Sequence, residues 1–169
     1  MKEARINRYT QIVILASVYL LLHCPVAFAQ ESHHEHEEHN HHIGFLVGPV
    51  YNTTEKSFSP GIGVEYERLL PFWDHLLGIG VGAEAIFDEH KHYVVFMMFP
   101  FHPTRELTLK FAPGMMFIDK EGWESHLAVH FGISYEFELN SFFLAPAFEI
   151  GAAGDDVHLM LGLHFGWGF

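Results

Sequence analysis

Residues 157–169 read VHLMLGLHFGWGF, and this stretch decides the fold. Its odd positions, Val157, Leu159, Leu161, Leu163, Phe165, Trp167 and Phe169, are all large and apolar. Its even positions, His158, Met160, Gly162, His164, Gly166 and Gly168, are mostly small or polar. A strict period of two marks an extended strand with one greasy face. Seven same-face apolar residues are more than a half-buried strand of a soluble sheet needs. A tilted strand that crosses a bilayer uses about 9–11 residues with lipid against its outer face, and this stretch fits.

The same rule recurs toward the N-terminus. Turn-punctuated segments at 43–51, 58–68, 75–87, 93–101, 107–116, 125–137 and 142–150 precede the last one, which makes eight. In 75–87, for example, Leu77, Ile79, Val81, Ala83, Ala85 and Phe87 oppose Gly78, Gly80, Gly82 and Glu84. In 125–137, Leu127, Val129, Phe131, Ile133, Tyr135 and Phe137 oppose His126, Ala128, His130, Gly132, Ser134 and Glu136. The segment 93–101, YVVFMMFPF, is apolar on both faces, so parity leaves its orientation open. Eight short, regularly spaced strands predict an all-β, eight-stranded antiparallel up-and-down barrel. Helices are excluded because Gly and Pro punctuate the chain and no 3.6-residue period survives. Pro49, Pro60, Pro100, Pro113 and Pro146 fall within or beside these segments, and each lacks a ladder donor, so bulges or strand ends are expected there.

A soluble barrel would share the strand count but would turn its large apolar residues inward. Here the opposite face is Gly, Ala, His and Glu, which suits the cramped lumen of eight strands. The large face has more volume than such a lumen encloses. Aromatic residues near strand ends, among them Tyr51, Tyr66, Tyr135 and Trp167, match the girdles of a transmembrane barrel.

The 169 residues suffice for one domain. Residues 1–29 read as a secretory signal peptide: Lys2, Arg5 and Arg8 precede an apolar run at 12–22 and an A-x-A site at Ala27, Phe28 and Ala29. Cleavage is expected before Gln30 and would remove Cys24, the one cysteine, so disulfides and thiol chemistry are not expected. A lipoprotein signal at Cys24 is disfavoured by the bulky His23 before it. The formal charge is −12 and becomes more negative without the leader, which argues against nucleic acid as a partner. No later stretch offers about 18 uninterrupted apolar residues, so a membrane-bound mature chain must cross as a closed barrel.

Residues 30–42, QESHHEHEEHNHH, form a low-complexity tract with nothing to bury, and disorder is expected. It holds six histidines within ten residues: His33, His34, His36, His39, His41 and His42. Imidazoles interleaved with carboxylates suit Zn, Ni or Cu, so divalent-metal binding is expected there, with no cofactor required by the fold.

From 43 to 169 the pattern, with its closing Phe169, resembles the small eight-stranded outer-membrane β-barrels of the OmpA/OmpX kind. That resemblance implies a Gram-negative outer membrane as the location, lipid as the surrounding partner, and both termini in the periplasm. It also implies that Phe169 is read by the barrel assembly machinery. Residues 71–74, 102–106 and 138–141 would be periplasmic turns, and 52–57, 88–92, 118–124 and 151–156 short external loops.

Inward parity collects Glu65, Glu67, Glu84, Glu136 and Glu149 with Lys110, His126, His130, His158 and His164. So many carboxylates with one lysine need protons, water or a cation. The plain reading is a polar lumen network; the sharper one is an internal cation site with His126 and His130 as two ligands. Enzyme chemistry is not expected. Ser125 and His126 point to opposite faces, and Ser134 lies too far from His130 for a nucleophile–base pair. The reading is therefore an outer-membrane barrel with a structural or binding role, including divalent metal at the His tract. Its rivals are a narrow cation or small-solute channel, porin-like in character, and a lipid-modifying enzyme.

Overall fold

Each strand of the fold carries its large apolar residues on one face, and that alternation closes the sheet into a ring. A computed structural model describes residues 40–71, 76–119 and 122–169. The strands are β1 (His41–Asn52), β2 (Ser57–Leu69), β3 (Gly78–Ile86), β4 (His92–Phe101) and β5 (Leu107–Asp119). They continue as β6 (Trp123–Tyr135), β7 (Phe137–Leu139), β8 (Phe142–Ala153) and β9 (Asp156–Gly168). Sequential strands pair antiparallel, β1 also pairs β9, and β6 pairs β8. Glu136 interrupts β6, and the short β7 carries the same barrel strand onward against β8. The ring is thus a closed eight-stranded barrel of up-and-down topology. Closure pairs every long strand on both sides, and the three-residue β7 pairs with β8 alone.

The turns are short at both ends. Asn52 Oδ1 accepts the backbone N–H groups of Thr54 (2.9 Å) and Glu55 (3.0 Å), which tightens the β1–β2 loop. Asn140, at φ 62°, takes the left-handed conformation that the two-residue β7–β8 turn requires. Both ends of the ladder meet at one rim: Phe169 N–H donates to His41 O at 2.8 Å, and His41 N–H to Phe169 O at 3.1 Å.

Burial follows the parity read from the last strand. In β9, His158, Met160 and Gly168 are buried, while Leu161, Phe165 and Trp167 are exposed. The exposed face runs round the barrel through Val47, Ile62, Val81, Met97, Phe111 and Phe131, and Leu127 is 81% exposed. Strand β4, whose orientation parity left open, points His92, Val94, Phe96, Met98 and Pro100 inward and its odd residues outward. Val94, Phe96 and Met98 of this set pack with Ala112, Met116, Ile118, Ala128 and Ala153. A second cluster, Leu46, Val50, Ile86, Ala147 and Met160, fills the rest of the apolar lumen.

Three expectations change. The prolines do not end the strands; they open the ladder on one side. Gly48 and Pro49 pair with β2 but not with β9, and the β4–β5 ladder lapses where Ala112 and Pro113 face it. An antiparallel residue bonds one neighbour only, so a missing N–H costs one side and leaves the other intact. His41 and His42, assigned to the disordered tract, are the first residues of β1, paired with Arg68 and Glu67. The third strand starts at Gly78, after a bridge from Leu77 to Phe101. The signal peptide at 1–29, His33, His34, His36 and His39 lie outside the described residues.

Candidate functional site

The chemistry of this barrel lies in its lumen, where charged side chains stack in layers along the axis. At the rim shared by the termini, His102 follows β4 and bonds Glu67 Oε1 through Nε2 at 2.7 Å. Its Nδ1 lies 3.0 Å from Thr108 Oγ1, and that hydroxyl donates to Glu136 at 2.6 Å. A hydroxyl has one proton to give, so His102 Nδ1–H must donate to Thr108, and Nε2–H donates to the Glu67 carboxylate. The ring is therefore an imidazolium. Burial pushes its pKa down, but the Glu67 hydrogen bond and the charges of Glu67 and Glu136 outweigh it and raise it above the ordinary value.

One layer deeper, the Lys110 ammonium hydrogen-bonds both Glu65 and Glu149. The register explains the meeting. Lys110 of β5 pairs Gly132 of β6, which pairs Glu149 of β8, so a glycine separates two long side chains at one level. A Cβ at Gly132 would press on Lys110 Cε at 3.2 Å and on the Glu149 carboxylate arm at 3.4 Å. His164 approaches Glu65 Oε2 at 3.8 Å, and the ammonium lies 5.5 Å from the centroid of the Phe96 ring. A cavity of about 30 Å³ opens beside this layer between His42, Pro100, Thr108, Lys110, Glu136 and Phe143. That is room for a water or two.

Beyond it lies the layer of Glu84, His130 and His158, all buried. Glu84 comes from β3, His130 from β6 and His158 from β9, and no two of these strands are neighbours. The groups meet only by reaching across the lumen. His130 Nδ1 lies 3.5 Å from Glu84 Oε2, and the two imidazoles meet edge to face with centroids 5.0 Å apart. At the far end His92 bonds Asp88, and a cavity of about 10 Å³ joins these to Asp156 and His158. On the loop rim His90 lies 3.3 Å from Glu55.

The inward set read from the sequence is thus largely in the lumen, but the His126 and His130 pairing is not a site. Four residues along a strand separate them by about 13 Å. His126 sits near the mouth, 3.6 Å from Glu124, while His130 turns to Glu84 and His158. Four inward groups were not singled out beforehand: Asp88, His92, His102 and Thr108. His92 and Thr108 have the inward parity of their strands; Asp88 and His102 lie in turns, where no period operates. His41 faces the other way, its Nδ1 2.7 Å from the Tyr66 hydroxyl and its ring stacked on Phe169.

No protein-family model matches the chain, and no curated protein matches it in sequence. Solved structures do. Neisserial surface protein A is 10% identical over 76% of this chain and 96% of its own, with a TM-score of 0.52. Ail, the attachment invasion locus protein of Yersinia pestis, is 16% identical over 76% and 96%, with a TM-score of 0.51. A de novo designed transmembrane β-barrel is 12% identical over 78% and 98%, with a TM-score of 0.54. At such identities the likeness is one of fold: a small, closed, eight-stranded antiparallel barrel of the transmembrane kind.

Proposed function

We propose that this chain is a sealed outer-membrane barrel with a structural or binding role, its termini in the periplasm, which captures divalent metal through His33, His34, His36, His39, His41 and His42. One observation carries the membrane reading. Large apolar side chains cover the outside of the barrel while carboxylates, imidazoles and an ammonium occupy its inside. In water that arrangement would leave an exposed apolar surface far larger than a soluble monomer carries. In lipid it is the favourable one.

The lumen supports a sealed barrel over the channel reading. Val94, Phe96, Met98, Met116 and Ile118 fill it from one side, and the charged layers cross it. Fractionation tests the location: the protein should partition with the outer membrane and shift its gel mobility on heating. Recovery in the soluble periplasmic fraction would sink it. Planar bilayers should record no discrete conductance steps. Calorimetry with Zn²⁺ or Ni²⁺ tests the tract, and binding there should fade below about pH 6.5, where imidazole protonates.

A further inference from the structure

We propose that Glu84, His130 and His158 form a buried site for one divalent transition-metal ion of the zinc class inside the barrel. The site shares no residue with the His tract and stands on the barrel fold alone.

The donor set comes first. One carboxylate and two imidazoles offer ligand atoms that all lie within 4.8 Å of one another. Two histidines and a glutamate form a set that zinc takes with a fourth, open position. Bonds of 2.0–2.1 Å to a tetrahedral ion put neighbouring ligand atoms about 3.4 Å apart. His130 Nδ1 and Glu84 Oε2 already stand at 3.5 Å.

The second observation is independent of spacing. Glu84 Oε1, His130 Nε2 and His158 Nε2 are buried and have no hydrogen-bond partner. Leaving a buried polar atom unsatisfied costs about 1–3 kcal/mol, and native interiors rarely carry several together. His130 is 1% exposed and His158 4%, so bulk water does not satisfy them. A metal ion would engage one atom from each residue.

Charge points the same way. Lys110 is committed to Glu65 and Glu149, so Glu84 is a buried carboxyl with no ammonium bonded to it. A divalent cation would supply Glu84 with the counter-charge it lacks, and an imidazole-rich set selects a transition metal over Mg²⁺ or Ca²⁺.

Room for the ligands is built into the sheet. His130 of β6 and His158 of β9 both pair Gly151 of β8, one from each side. A side chain at Gly151 would run into the His158 ring. The glycine lets two imidazoles at one level lean over a bare strand and reach the centre. Polar groups lie between the site and the loop rim. Asp88, His92 and Asp156 share a small cavity with His158, and the pair Glu55–His90 lies on the rim.

The test uses the full chain with His33, His34, His36, His39, His41 and His42 changed to serine and folded in detergent micelles. Titration against a chromophoric chelator should show one Zn²⁺ per chain, and Co²⁺ should give the intense visible bands of a four-coordinate site. Glu84→Gln, His130→Gln and His158→Gln should each weaken Zn²⁺ by more than about 100-fold, beyond the 10–100-fold typical of outer-shell partners. His126→Gln, on the same face but outside the cluster, should leave the affinity unchanged. Should a variant fail to show the gel shift of a folded barrel, X-ray absorption of the Zn²⁺-loaded parent replaces it, with two imidazole nitrogens expected at about 2.0–2.1 Å. The proposal is overturned if the tract-substituted chain binds no stoichiometric Zn²⁺. It is equally overturned if all three variants bind as the parent does, or if the absorption spectrum shows fewer than two imidazoles.

Discussion

Replacing Lys110 with methionine isolates the energetic role of the charged layer. Methionine keeps most of the apolar stem and removes the ammonium that Glu65 and Glu149 share. These three side chains are each at most 8% exposed, so solvent does little to screen what is left. Two charge-assisted hydrogen bonds disappear, and two carboxylates remain beside each other without a counter-ion. Removing one partner of a buried pair costs about 3–5 kcal/mol, chiefly through the charge left behind. The lost cation over the Phe96 ring is a smaller addition, of about 0.5–2 kcal/mol. Urea-driven unfolding in lipid vesicles, followed by tryptophan fluorescence, should therefore place Lys110→Met about 3–5 kcal/mol below the parent. The triple variant Lys110→Met, Glu65→Gln, Glu149→Gln should recover most of that loss, since neutral amides strand no charge. A single variant within about 1 kcal/mol of the parent would refute the reasoning, as would a triple variant no better than the single.

Other expectations concern backbone spacing, assembly and pH. A Cβ at Gly48 would collide with the backbone of Leu161 and Gly162 in β9, whereas one at Gly63 meets nothing closer than 3.5 Å. Gly48→Ala should thus cost about 1–3 kcal/mol in the same unfolding assay, and Gly63→Ala within about 0.5. Deleting Phe169 should lower the outer-membrane yield more than Phe87→Ala does, because it removes the closing contact with His41 as well as an aromatic ring; equal yields would argue against that. The folded pKa of His102 lies above its ordinary value of 6.5, so its stabilising contribution is complete at acid pH and is lost as pH rises through the raised value. Stability should fall as pH rises above 6.5 through the raised value in the parent, and less so in His102→Gln; an unchanged profile in the variant would place the titration elsewhere.

Much of the architecture was readable because lipid and lumen impose opposite demands on alternate residues. β9 and β3 declare their inside and outside residue by residue. β4 does not, since Val94, Phe96 and Met98 plug the lumen while Val95, Met97 and Phe99 face out, and both demands are met by apolar side chains. The prolines misled because strand pairing in a ring has two sides, of which Pro49 gives up only one. Inward parity identified Glu84, His130 and His158 individually. Their grouping was not legible, because it depends on which strands face each other across a closed ring. His126 and His130 looked like partners only because they share a strand and a face.

The opposed faces also set two tempos of sequence change. Outward residues such as Val47, Val81, Phe111 and Phe131 touch a liquid, which accommodates any apolar shape. There Leu, Ile, Val and Phe can be exchanged at little cost. Inward residues such as Met116, Met160 and His130 touch a packed solid, in which a single methylene is felt. A lineage carrying this barrel should therefore vary freely around its circumference while its axis stays nearly fixed. Overall identity between two such barrels would then fall far below the level at which their interiors still match. Comparison of lumen residues, layer by layer, is the measure of kinship suited to this fold.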